Sequence, residues 1–145
     1  MLEEFNKNMM TQEDKELLIK DLCARLPYGI KAQEHDDEPP FTIVAYDGLY
    51  FWDNDEWEHK VDKIKPYLFP LSSMTEEQYY EMMGCSSEDC LEHMEMLKSL
   101  RECTDFTHWP LYEYRVIDWF NKNNFDYRGF IPKGLAIDAT NKNIY

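Results

Sequence analysis

The stretch Phe41-Thr42-Ile43-Val44-Ala45-Tyr46, followed by Asp47-Gly48 and then Leu49-Tyr50-Phe51-Trp52, constrains this chain more than any other. β-Branched and aromatic residues on either side of a favoured turn pair specify a β-hairpin with a two-residue turn at Asp47-Gly48. Asp53-Asn54-Asp55-Glu56 then makes a second polar turn, and Trp57-Glu58-His59-Lys60-Val61 alternates as a third strand should. Gly29 to Gln33 is a candidate short strand upstream. The loop Glu34-His35-Asp36-Asp37-Glu38-Pro39-Pro40 separates it from the hairpin, because repelling acids and two prolines oppose regular pairing. These segments give a small antiparallel meander, and they leave an SH3-like or another small barrel open. Ile64 to Leu71 contains Pro66 and Pro70 and reads as an irregular or edge segment.

Helical signals flank the meander. Thr11 caps a first helix, with Asp14 three residues on and Gln12-Glu13-Asp14 placing negative charge at the positive end of the dipole. Leu18, Leu22 and Leu26, with Ile19 and Cys23 offset, form its apolar stripe, and Pro27-Tyr28-Gly29 stops it. Downstream, Ser72 or Ser73 is the expected cap of a helix from Glu76 to Met83 that Gly84 ends. Ser87 with Glu88-Asp89 opens another, reaching about Glu102, whose buried face is Leu91, Met94, Met96, Leu97 and Leu100. Pro110 begins a helix that runs to about Asn123 with Val116, Trp119 and Phe120 turned inward. Asp126 caps a short helical turn that Gly134 stops, and Leu135-Ala136-Ile137 is an apolar segment able to return to the sheet. The fold class is α+β: an N-terminal helix, a small antiparallel meander and C-terminal helices. Residues 1–10 read as a flexible leader and 11–145 as one domain.

Charge narrows the function. With 29 acids against 15 bases the net charge is −14, a field that repels phosphate backbones and anionic lipids and disfavours direct nucleic-acid or membrane binding. The same field attracts a basic partner and also serves solubility. No apolar run reaches the length of a bilayer span, and Met1-Leu2-Glu3-Glu4-Phe5 lacks the pattern of a signal peptide. The expected setting is a cytoplasm, with the four cysteines as reduced thiols.

Motifs for chemistry are weak. Cys85, Cys90, His93, Cys103 and His108 are zinc-ligating types, but they lack the tight paired spacing of structural sites. Asp47 with Glu58-His59-Lys60 matches a D…ExK metal-hydrolase pattern, yet Asp47 stands in a tight turn and Glu58 a strand further on. Asp53-Asn54-Asp55-Glu56 starts like a calcium loop, but Trp57 stands where the third ligand belongs. Arg128 and Lys133 invite an anion, against the reading that Arg128 pairs with a neighbouring acid. No catalytic, cofactor or metal residue is assigned, and no cofactor is expected.

Two longer strings carry a likeness. Lys65-Pro66-Tyr67-Leu68-Phe69-Pro70-Leu71-Ser72-Ser73-Met74-Thr75-Glu76-Glu77-Gln78 and Phe125-Asp126-Tyr127-Arg128-Gly129-Phe130-Ile131-Pro132-Lys133-Gly134-Leu135-Ala136-Ile137-Asp138-Ala139-Thr140, with the Thr11 to Gly29 segment, resemble a group of small uncharacterised proteins of gut Bacteroidales and of the phages and mobile elements that infect them. The resemblance implies such an origin and no activity. The expected function is that of an acidic cytoplasmic module that binds another protein, not an enzyme. The candidate interaction residues are Tyr50, Trp52, Trp57, Trp109 and Tyr112, with the acids Glu76, Glu77, Glu81, Glu88 and Asp89. The alternatives are a nucleic-acid mimic that blocks a defence or DNA-processing enzyme, and a metal-dependent hydrolase using Asp47, Glu58 and Lys60.

Overall fold

The computed structural model describes residues 10–84, 91–106 and 114–145, so the expected leader and the starts expected at Ser87 and Pro110 lie outside the described residues. The chain divides into two compact units, Met1–Pro66 and Tyr67–Tyr145. Its sheet is mixed and mostly antiparallel, and the class is α+β.

In the first unit, helix α1 (Gln12–Arg25) starts where the sequence places it: the Thr11 hydroxyl accepts from the Asp14 N–H at 3.0 Å. It ends in a one-turn 3-10 helix, Leu26–Tyr28, closed by Gly29 at φ 83°. The buried face differs from the expected stripe. Leu18 and Leu22 are buried, but Leu26, Ile19 and Cys23 are only half-buried. The remaining inward positions belong to Asp21 and Arg25, both fully buried. Their side chains meet at 2.8 and 3.2 Å, one turn apart on the helix.

Strands β1 (Lys31–Gln33), β2 (Phe41–Tyr46), β3 (Phe51–Asp53) and β4 (Glu58–His59) form the meander, each antiparallel to the next. The order is β4-β3-β2-β1, with Lys65 and Pro66 paired to the far side of β1. The register bulges at Val44, between the pairs Ile43↔Asp53 and Ala45↔Trp52. Alternation puts Phe51, Asp53 and His59 on one face, all buried, and Trp52 and Glu58 on the other. Two expectations change. The hairpin loop spans Asp47 to Tyr50, because the Asp47 carboxylate grips the amides of Leu49 and Tyr50 and widens the turn. The third strand stops at His59, since Val61–Lys63 coils into a 3-10 turn that seats Ile64 in the core.

Strand β5 (Lys65–Pro70) overturns the expected irregular segment. Its prolines stand at the margins of the strand, Pro66 as the second residue and Pro70 as the last. In the second unit, Tyr67 and Leu68 pair in parallel with β7 (Ile137–Asp138), and Phe69 and Pro70 with β6 (Phe125–Asp126). Helix α2 (Glu76–Met83) is capped by Thr75, not by Ser72 or Ser73. Both serines are taken into a 3-10 turn, Leu71–Ser73, and Thr75 instead forms a reciprocal capping box with Gln78. Thr75→Ala is therefore expected to lower unfolding stability by about 1 kcal/mol in urea denaturation, whereas Ser72→Ala leaves it unchanged.

Helices α3 (Leu91–Glu102) and α4 (Tyr114–Lys122) complete this unit. Its core joins Leu71, Met74, Tyr79, Leu97, Leu100, Phe106, Val116, Phe120, Phe125 and Tyr127. Met94, expected inside, is 55% exposed, because Leu97 and Leu100 define the inward stripe of α3. Asp126 is buried and accepts from the amides of Phe130 and Ile131 at 2.9 and 2.8 Å, which folds the following segment into turns rather than a helix. Gly134, at φ 75°, ends those turns and β7 follows.

Candidate functional site

The most organised polar constellation of the first unit centres on the turn between β3 and β4. Asp53 ends β3 with its carboxylate inward, where Oδ1 accepts from the amides of Asp55 at 2.8 Å and Trp57 at 3.0 Å. Its Oδ2 lies 2.8 Å from Nε2 of His59, and Nδ1 of the same ring lies 3.0 Å from Oε2 of Glu34. The imidazole stacks on Phe41, with ring centroids 4.1 Å apart and planes 8° from parallel. A histidine held by carboxylates at both nitrogens satisfies both contacts as a donor only when it carries both ring protons. Burial pushes the Asp53 carboxyl up, but the His59 contact and the amides of Trp57 and Asp55 outweigh it and hold the group below the usual carboxylate range.

This clasp ties two acidic segments together. Glu34 opens the loop between β1 and β2, and Gln33 braces that loop by donating to the carbonyls of Asp36 at 3.0 Å and Glu38 at 3.4 Å. Asp36, Asp37 and Glu38 are exposed on one segment, and Asp55, Glu56 and Glu58 on the other. Trp57 stands out from the second turn, 69% exposed although its own amide is fixed by Asp53.

The other hairpin residues are placed differently. Asp47 uses Oδ1 for the amides of Leu49 and Tyr50, at 2.8 and 2.7 Å, and Oδ2 for the Trp52 indole N–H at 2.9 Å. Its carboxyl is held below the usual range by these bonds, the Tyr50 amide first and the Trp52 indole next. Tyr50 and Trp52 are half-buried, so of the meander's expected interaction aromatics only Trp57 stands free in solvent. Glu76, Glu77 and Glu81 are exposed on α2, in the second unit. Trp109, Tyr112, Glu88 and Asp89 lie outside the described residues.

The metal patterns do not assemble. Asp47 has both oxygens committed to its own turn, Glu58 projects from the outer face of β4 opposite Trp52, and Lys60 is exposed. Among the described residues no group of three or more His, Cys, Asp or Glu side chains is placed to hold an ion. Of the zinc-type residues, His93 contacts the Tyr79 hydroxyl at 3.2 Å and Cys103 is half-buried; Cys85, Cys90 and His108 lie outside the described residues. Arg128 spreads over the Tyr127 ring, 5.0 Å from its centroid, and donates to the Tyr127 hydroxyl at 3.4 Å.

The sequence reading takes Asp53 only as the start of a calcium loop and His59 only as part of the Glu58–Lys60 pattern, and it joins neither to Glu34. One signal was there: alternation from Phe51 turns Asp53 inward, and a buried carboxylate requires partners. Among the described residues no helix is long and apolar enough to cross a membrane. The chain matches no protein family, no curated protein and no solved structure.

Proposed function

We propose that this protein binds another protein through the turn that carries Trp57, and that the partner presents a basic segment. The observation that carries this reading is the exposure of Trp57 at 69% on a turn whose backbone is fixed by Asp53. A rigid, solvent-exposed indole offers large apolar area at little ordering cost, and tryptophan is prominent among residues that dominate binding energy. Asp55, Glu56 and Glu58 border it, and the clasp holds the acidic loop of Glu34 to the same turn. A lysine or arginine there meets both carboxylates and an aromatic face. In this reading the protein works in a cytoplasm, where its free thiols Cys23 and Cys103 stay reduced.

Capture of partners from a lysate of a gut Bacteroidales host, with nuclease treatment and quantitative mass spectrometry, tests it with Trp57→Ala beside the wild type. Wild type should retain one stoichiometric basic partner that is insensitive to nuclease and released by salt. Trp57→Ala should weaken that complex about tenfold or more while changing unfolding stability by less than about 0.5 kcal/mol. Equal retention by both proteins refutes the Trp57 surface. A DNA-processing enzyme held independently of Trp57 would instead favour the nucleic-acid mimic.

A further inference from the structure

The second unit contains a cleft of about 160 Å³ between the end of β5, the end of α3 and the turns after β6. Leu71, Ile131 and Pro132 give it apolar walls, and Arg101, Cys103 and Asp126 also line it. Two charged residues therefore line the cleft, and they are differently engaged. The Asp126 carboxylate is occupied by the amides of Phe130 and Ile131. Arg101 is fixed through Nε, which donates to the Met74 carbonyl at 2.8 Å, while among the described residues its two terminal nitrogens donate to nothing and no acid lies within ion-pair distance. A guanidinium oriented at one nitrogen and open at the other two is a preorganised fork for a planar anion. Ser72 and Thr104 also line this cleft, and their hydroxyls have no hydrogen-bond partner among the described residues.

We propose that this cleft binds a small carboxylate with a short apolar tail, the carboxylate on Arg101 and the tail against Leu71, Ile131 and Pro132. Size supports a small free acid: a cavity of about 150 Å³ accommodates a molecule as large as benzene. Charge favours carboxylate over phosphate: the arginine fork can hold two oxygens of either anion, but one guanidinium offsets one negative charge and leaves the second charge of hydrogen phosphate against apolar walls. The cation also stands out against a net charge of −14, which otherwise repels anions.

Cys103 supplies the readout. Its thiol is pushed up mainly by burial, so alkylation is run at about pH 9, where a minor fraction is ionised and carries the reaction. In that reaction the thiolate sulfur bonds to the reagent's methylene carbon and iodide leaves. Iodoacetate carries a carboxylate and iodoacetamide does not, so the ratio of their rates reports whether Arg101 collects the anion. Peptide-resolved mass spectrometry on the full chain compares Cys103 with Cys23, a half-buried thiol in the other unit that burial also pushes up.

The iodoacetate-to-iodoacetamide ratio at Cys103 should exceed that at Cys23 by about tenfold, even though Asp105 beside Cys103 repels the anionic reagent. Butyrate should protect Cys103 and not Cys23, and inorganic phosphate should protect neither. Arg101→Gln should bring the Cys103 ratio down to that of Cys23 and abolish protection. An unchanged iodoacetamide rate in that variant shows that the cleft has kept its shape. Should Arg101→Gln fail to fold, the wild-type ratio and the butyrate protection decide alone. Equal ratios at the two cysteines with no protection by butyrate overturn the site, and equal protection by phosphate overturns its preference for carboxylate.

Discussion

Arg25→Met is expected to lower the unfolding free energy by about 3–5 kcal/mol, because it removes one half of an ion pair that has no access to water. Arg25 and Asp21 are both fully buried, and the guanidinium meets both carboxylate oxygens, at 2.8 and 3.2 Å. Without the arginine, the buried Asp21 carboxylate loses the charge that faces both its oxygens, and breaking one half of such a pair costs several kcal/mol. Thermal unfolding should shift down by about 10 °C for a chain of this size. The double variant Asp21→Leu/Arg25→Met separates charge from packing. It removes both ions together, so it should recover most of the loss, as replacing a whole buried pair by apolar groups often does. A double variant as unstable as Arg25→Met would show that the loss comes from the arginine's packed stem, and not from a stranded carboxylate.

The same pair shows where the sequence was silent. A run of Leu18, Ile19, Leu22, Cys23 and Leu26 looks like a complete apolar stripe, and nothing in the spacing says that Asp21 and Arg25 displace half of it. The i, i+4 spacing of opposite charges is visible in the sequence, but that pattern normally marks a solvated face. Signals that act within one turn were legible: Thr11, Gly29 and Gly84 each sit where a helix begins or ends, and the hairpin strands follow their β-branched run. Signals that depend on distant chain were not. β5 becomes a regular strand because Phe125 and Ile137, more than 50 residues on, lie beside it, and its prolines read alone argue for irregularity. The site divides in the same way. Trp57 was named from residue type and local pattern, whereas the clasp that supports its turn needs Glu34, 25 residues from His59.

His59→Phe is expected to cost about 2–3 kcal/mol while leaving the stack on Phe41 in place. The ring is kept and both polar contacts are lost, so the variant isolates the clasp from the packing. Most of the loss belongs to the arm on Asp53, whose side chain is 6% exposed; the arm on Glu34, at 26%, is closer to solvent and contributes under about 1 kcal/mol. Glu34→Gln should accordingly cost less than His59→Phe. The pH dependence fixes the assignment. Asp53 is held below the usual carboxylate range in the folded protein, so its contribution is complete above the unfolded value of about 3.9 and is lost as pH falls through the lower folded value. His59→Phe removes one cause of that depression. Denaturation curves for wild type and variant should therefore lie furthest apart near neutral pH, and the gap should narrow as pH falls from about 5 toward 2. A gap constant across that range would mean that the His59 contact adds nothing to the depression of the Asp53 carboxyl. Freed from Glu34, the loop of residues 34–38 would no longer be fixed to the β3–β4 turn, so partner affinity should fall in His59→Phe with Trp57 still present. An affinity equal to wild type would leave Trp57 as the anchor and remove the acidic loop from the interface.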